Sequence, residues 1–301
     1  MSLRLSVLNW AVRWIARPLL ERTADGDRAK RDFALLARLQ RVAPYMLHLV
    51  DPGTVPLHWI SVKRPQPNWV ILYLHGGAYL SGSPVTHLGL MARLSKLTEM
   101  QVAAPDYRLA PEHPAPAAFD DAVAVHARLL AMGYPAERII LGGDSAGGGL
   151  ALAVMADLCR RGLQPAGLFA FSAWTDFALT GASLLTNAAR DPLLPVARMP
   201  EVVALVLGDV DARDPRISPL HAKFEAPPPV FLQVGTEEIL LDDSRRMAEV
   251  LQQAGGQVTL QEWPDCPHVW QMLDGYVPEA RQALIQTADF IGSLTMPQSG
   301  S

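Results

Sequence analysis

At 301 residues the chain is long for one domain but within the range of single α/β units, and half of it is apolar, enough to bury a large core. A formal charge of −4 and a pI near 6.1 exclude the clustered basic surface of a nucleic-acid binder, so no nucleic-acid partner is expected. The two cysteines, Cys159 and Cys266, make no disulfide framework, which points to a reducing, cytoplasmic setting.

Along the chain, the first 22 residues are apolar but interrupted by Arg4, Arg13 and Arg17, and no small-residue cleavage site follows, so no signal peptide is expected. No run reaches the roughly 18 apolar residues needed to span a bilayer, so no stable membrane insertion is expected either. Leu8, Val12, Ile15 and Leu19 recur at helical spacing, predicting a helix packed on its own protein. Contact of Trp10 and Trp14 with a membrane surface is the alternative.

From residue 57 short β-rich runs alternate with helical stretches. Strands are predicted at Leu57–Lys63, Trp69–Leu74, Gln101–Ala104, Arg138–Leu141, Gly167–Ser172, Val230–Val234 and Val258–Trp263. Helices are predicted at Thr86–Thr98, Ala117–Met132, Ala146–Arg161, Asp243–Ala254 and Pro278–Leu294. Unbroken apolar runs such as Trp69-Val70-Ile71-Leu72 suit strands covered on both faces, so a mostly parallel sheet flanked by helices is expected. Asp176 to Phe224 breaks the rhythm. It is proline-rich, holds no clear strand and carries a helical run at Ala197–Leu207, as a lid over an active site would. The expected organisation is N-terminal cap helices at 1–45, an α/β core at 46–175 and 225–295, a cap insertion at 176–224 and a frayed tail at 296–301.

Gly143-Asp144-Ser145-Ala146-Gly147 falls between a predicted strand and a predicted helix, the setting of a nucleophile elbow. The turn strains the serine and needs small residues two positions either side; both are glycine. His75-Gly76-Gly77-Ala78-Tyr79, also after a strand, offers backbone amides to an oxyanion, since glycines admit close approach. Gly76 and Gly77, with the amide of Ala146, are the expected donors.

Only His221 and His268 follow Ser145. His221 lies in the suspected insertion, whereas His268 follows a strand at the same sheet edge as the elbow and is the expected base. A metal pair of Cys266 and His268 is the rival, with no flanking ligands to complete it. Cys266 itself is either a thiol whose alkylation would disturb the His268 loop or a buried, inert one. Four carboxylates compete for the triad acid: Glu237 and Glu238 in the loop after Val230–Val234, and Asp242 and Asp243 where the next helix begins. An aspartate at a helix start is usually a cap or dipole partner.

With these motifs in order, the chain resembles the hormone-sensitive-lipase-like bacterial esterases, marked by HGGG and GDSAGG. Here they read HGGAY at 75–79 and GDSAGG at 143–148, with a further shared stretch from Asp106-Tyr107-Arg108 through Pro116 to Asp120-Asp121. The resemblance covers residues 65 to 295. It implies an α/β-hydrolase fold with a helical cap, no cofactor, short acyl esters as small-molecule substrates, and a capacity to form homodimers through edge strands. Two departures stand out. The third glycine of HGGG is Ala78, and the family's Asp-Pro-Leu aligns with Glu238-Ile239-Leu240, which implies Glu238 as the acid, with Asp242 second.

The expected enzyme is therefore a serine carboxylesterase with Ser145, His268 and Glu238 as its triad. Lactone hydrolysis would use the same residues. A non-catalytic small-ligand receptor, as in the plant gibberellin receptors that resemble this family, is the alternative from another class; retention of His268 argues against it.

Overall fold

Chain runs that are apolar without alternation form strands covered on both faces here, and they do so in the order the sequence suggests. The structure, a computed structural model, describes residues 2–22, 31–33, 35, 37, 41–42 and 45–295. The expected tail, 296–301, and part of the expected N-terminal cap segment lie outside the described residues. Helix α1 (Leu3–Ala11) continues through a wider π turn (Val12–Ala16) into α2 (Arg17–Arg22).

Among the described residues eight strands form one sheet: β1 (Leu47–Asp51), β2 (Leu57–Ser61), β3 (Val70–Leu74), β4 (Gln101–Pro105), β5 (Ile139–Asp144), β6 (Gly167–Phe171), β7 (Val230–Gly235) and β8 (Val258–Trp263). Their spatial order is β1-β2-β4-β3-β5-β6-β7-β8. From β4 onward all neighbours are parallel, whereas β2 runs antiparallel to both β1 and β4. Strand β1 is absent from the sequence expectation. It is a five-residue edge strand, half exposed, whose residues show no clean alternation.

Further helices among the described residues are α3 (Leu88–Thr98), α4 (Ala117–Ala131), α5 (Ser145–Arg160), α6 (Ser183–Thr186), α7 (Met199–Leu207), α8 (Leu241–Gln253) and α9 (Pro278–Thr295). Side chains alternate across the sheet, so each strand feeds two cores. Ile71, Tyr73, Ile140 and Phe169 pack with Leu90 and Met91 of α3 and Leu284 and Ile291 of α9. Leu72, Leu141 and Leu168 pack on the other face with Leu150 and Val154 of α5 and Met247 of α8. Helix α5 is buried along nearly its whole length; cutting one of its leucines to alanine would cost about 2–5 kcal/mol.

Residues 176–224 leave the sheet after β6 and return before β7. Asp242 and Asp243 were expected as caps or dipole partners of the following helix; Leu240 holds the cap position without any side-chain cap, which leaves the dipole role to the two aspartates. Both aspartates occupy the first turn and reach outward. The Asp243 carboxylate accepts the amides of Thr175 (2.7 Å) and Asp176 (2.9 Å), and that of Asp242 accepts the amide of Ser183 (2.9 Å). They fasten the insertion to the core.

Candidate active site

The C-terminal ends of parallel strands are where an open α/β sheet gathers its ligand-binding loops. Strands β3, β5, β7 and β8 deliver His75–Tyr79, Ser145, Glu238 and His268 to that edge.

Ser145 opens α5 with φ +52°, a left-handed conformation that costs an L-residue on the order of 1–3 kcal/mol. The turn closes only because its flanks lack side chains. A Cβ on Gly147 would lie 2.2 Å from the carbonyl oxygens of Leu74 and His75, and one on Gly143 would lie 2.4 Å from that of Gly147. The Ser145 carbonyl accepts the Trp174 amide at 3.0 Å, which pins the elbow to the strand beside it.

Ser145 Oγ stands 2.8 Å from His268 Nε2, and His268 Nδ1 stands 2.6 Å from Glu238 Oε2. Glu238 is fully buried, and its other oxygen accepts the Gly235 amide (2.6 Å) and the Ser172 hydroxyl (2.7 Å). Ser172 Oγ in turn accepts the Val269 amide (3.2 Å), so one hydroxyl bridges the acid and the histidine loop. Burial by itself would lower the His268 pKa, but the charge and hydrogen bond of Glu238 outweigh it and the net shift is upward. Both His268 ring nitrogens are thus turned to Ser145 and Glu238 rather than to Cys266. His221 lies elsewhere, 3.3 Å from Asp176.

The other carboxylates of the acid loop point away. Glu237 forms an ion pair with Arg190, with Arg190 Nε 2.6 Å from Oε2. The insertion wraps this loop closely. Asn187 donates to the carbonyls of Thr236 (3.0 Å) and Glu238 (2.9 Å), and buried Asp191 accepts the Ile239 amide (2.9 Å). Arg13 and Arg17 of the N-terminal helix donate to the carbonyls of Ala189 (3.0 Å) and Asp191 (2.5 Å). Ser172, Asn187 and Asp191 carried no local sequence signal, because each acts through a residue about 45–100 positions away in the chain.

One expected donor is corrected. The Gly76 amide is not free for an oxyanion: it donates to Asp144 Oδ1 at 3.0 Å, beneath the loop. Gly77 (φ +123°) and Ala78 (φ +56°) instead line the cavity beside Ser145. Among the described residues the amides of Gly77, Ala78 and Ala146 donate to no acceptor. Tyr107 holds the same loop from the other side, its hydroxyl donating to the His75 carbonyl (2.6 Å) while its ring stacks on His75 at 4.2 Å. Burial, with His87 nearby, pushes the His75 pKa down to about 3, so this histidine stays neutral. Arg108 grips Asp121 through two nitrogens (2.7 and 2.9 Å), joining the two halves of the Asp106–Asp121 stretch.

The cavity opening on Ser145 has a volume of about 230 Å³ and is mostly apolar, with Leu194, Met199, Val202, Leu240 and Met272 among its walls.

Comparison with known proteins bears on the fold and the family. A family model described as alpha/beta hydrolase fold matches residues 71–272. The chain belongs to the α/β-hydrolase family. An acetyl-hydrolase of Streptomyces hygroscopicus is 40% identical over 289 residues, covering 96% of this chain and 94% of that one. An esterase of Acinetobacter venetianus is 41% identical over 229 residues, covering 75% and 76%. The crystal structure of an esterase from the bacterial hormone-sensitive lipase family superposes with a TM-score of 0.91 at 35% identity, covering 98% of this chain and 99% of that one. Within its family the chain stands among these hormone-sensitive-lipase-like esterases and is a serine carboxylesterase. No helix among the described residues is long and apolar enough to cross a membrane.

Proposed function

We propose that this esterase hydrolyses short-chain carboxylic esters through an acyl-enzyme on Ser145. The observation that carries the reading is the continuous contact Ser145 Oγ–His268 Nε2–His268 Nδ1–Glu238 Oε2, at 2.8 and 2.6 Å. Ser145 attacks the ester carbonyl as His268 takes its proton, and buried Glu238 stabilises the imidazolium. The amides of Gly77, Ala78 and Ala146 receive the oxyanion, and Ala146 is suited to this because first-turn amides lack an intrahelical acceptor. His268 then protonates the leaving alcohol, and water repeats the sequence on the acyl-enzyme.

The N-terminal helices and residues 176–224 act together as a cap in this reading, since Arg13 and Arg17 bind the insertion and Leu194, Met199 and Val202 wall the cavity. Short acyl groups are favoured on two grounds. The cavity, at about 230 Å³, falls below the roughly 300–1,000 Å³ of common ligand sites, and one relative is named an acetyl-hydrolase.

The test is Ser145→Ala, assayed on chromogenic acetate, butyrate and sixteen-carbon esters, beside labelling by a serine-directed phosphonate. The expected loss in kcat is up to about 10⁶-fold, with the label on Ser145. Activity within about tenfold of the parent, or labelling elsewhere, refutes the nucleophile. Equal rates on butyrate and the sixteen-carbon ester refute the chain-length preference.

A further inference from the structure

The N-terminal helix has two unlike sides. Leu5 is fully buried among Cys266, Trp270, Val277, Ala280 and Ala283, and Ala16 is buried on the same side. Ser2, Asn9 and Arg13 bond to Glu279, to the Asp265 carbonyl and to the Ala189 carbonyl. Facing outward, Leu3, Val7, Trp10 and Trp14 recur at steps of three and four, so they share one stripe. They are 82, 61, 63 and 65% exposed.

The charges along this helix are mostly of one sign, with Glu279 at its start bonded to Ser2. The chain as a whole carries −4, yet the segment through α2 holds Arg4, Arg13, Arg17 and Arg22 against a single acid, Glu21, which pairs with Arg17 at 3.0 Å. Arg4 and Arg13 are exposed and stand about a quarter turn from the stripe on opposite flanks. Apolar and tryptophan side chains between flanking arginines make a helix suited to lie in a bilayer interface, Arg4 reaching the headgroups and Arg13, held by the Ala189 and Arg190 carbonyls, adding positive charge on the other flank. Pairing with a second copy fits less well. A two-fold contact would set each copy's stripe, with its arginine flanks, against the same stripe of the other and oppose like charges.

We propose that the stripe Leu3–Val7–Trp10–Trp14 seats the protein on an anionic lipid surface. Leu20, farther along the same segment and turned inward, lines the cavity that opens on Ser145, so the segment that seats the protein also walls that cavity.

The experiment is flotation of the full chain with vesicles of phosphatidylcholine alone and with about 30 mol % phosphatidylglycerol. Its readout is binding, so it does not depend on the catalytic reading. The protein is expected to float with the anionic vesicles only, to be released by high salt, and to show a blue-shifted tryptophan emission when bound. Trp10→Ser with Trp14→Ser should cut the bound fraction about tenfold while thermal midpoint and turnover of a soluble acetate ester stay unchanged. Val7→Ser, which spares both indoles, should weaken binding in the same direction. The proposal is overturned if the parent does not float with anionic vesicles, or if parent and variants float equally. It is also overturned if light scattering shows a dimer that the variants dissociate, with no lipid binding in the parent.

Discussion

The carboxylate of Asp144 accepts the amide of Gly76 at 3.0 Å, tying the variable residue of the nucleophile motif to the loop that faces the same serine. The same oxygen accepts the Tyr73 hydroxyl at 2.7 Å, and the other lies 3.4 Å from His87 Nε2. Burial would raise the Asp144 pKa, but His87 and the Tyr73 hydrogen bond prevail and hold it below the usual carboxylate range. Asp144→Ala would strand two buried donors, each costing about 1–3 kcal/mol. We expect a loss of about 2–5 kcal/mol in urea unfolding. A fall in kcat of about tenfold or more should accompany it, because Gly77 and Ala78 lose the anchor beneath them. A stable variant with unchanged kcat would show that the loop holds itself.

Both cysteines should resist alkylation in the folded enzyme. Burial, then Glu225, pushes the Cys159 thiol up to about 11, and burial, then Glu279 and Glu238, pushes Cys266 up further. Cys266 is fully buried, against Leu5 and Trp270. At pH 8 little thiolate forms at either site, so iodoacetamide should leave both unmodified and activity intact. Intact-mass spectra with time, beside rates, check this; rapid modification of Cys266 would mean that its loop opens.

The contiguous parts of the site were legible in the sequence, and the parts assembled across the chain were not. Ser145 and His268 follow from motif and chain order, because a strand–turn–helix elbow and a single histidine at the right sheet edge leave few choices. Motif and chain order alone leave Glu237 and Glu238 open, and only the family resemblance points to Glu238; in the fold one faces His268 and the other Arg190. The role of Gly76 was misjudged because sequence does not show that a buried carboxylate takes its amide. Strand β1 was missed because an edge strand answers to one neighbour only and needs no strong apolar pattern. Ser172, Asn187 and Asp191 look like ordinary polar residues until the fold sets them around the acid loop.

Removing residues 1–22 should damage the site at a distance. The deletion takes Leu5 out of its packed cluster and exposes apolar surface of α9 and the Cys266 loop. It also removes the Asn9 bond to the Asp265 carbonyl (2.6 Å) and the arginine bonds to the Ala189 and Asp191 carbonyls. We expect lower soluble yield, a lower thermal midpoint and reduced kcat/KM. A truncated protein with parental midpoint and kinetics on both small and bulky esters would remove the N-terminal helix from the cap.

The acid assignment is tested by kcat and its pH dependence in two amide variants. Glu238→Gln keeps the size of the side chain but removes the charge that favours the imidazolium. Its amide group must also face a donor, either His268 Nδ1 or the Gly235 amide. We expect a folded protein with kcat lower by at least about 10³, scaled from the roughly 10⁴ lost with a triad acid elsewhere. Glu238→Asp, one methylene short, should keep partial activity. His268 must be neutral to accept the Ser145 proton, so activity should fall as pH drops through its pKa, which lies above the ordinary 6.5. Burial remains in Glu238→Gln while the upward pull is gone, so the acid limb of its residual activity should move to lower pH. Linkage runs the other way: the raised His268 pKa adds stability below the unfolded value, and that contribution is lost as pH rises through the folded one. Asp242→Asn should behave differently. Asp242 accepts the Ser183 amide and touches no triad residue, and asparagine retains an acceptor oxygen, so a stability cost of about 0.5–1.5 kcal/mol with near-normal kcat is expected. If Asp242→Asn is the inactive variant, or if the acid limb of Glu238→Gln stays in place, Glu238 is not the group that orients His268.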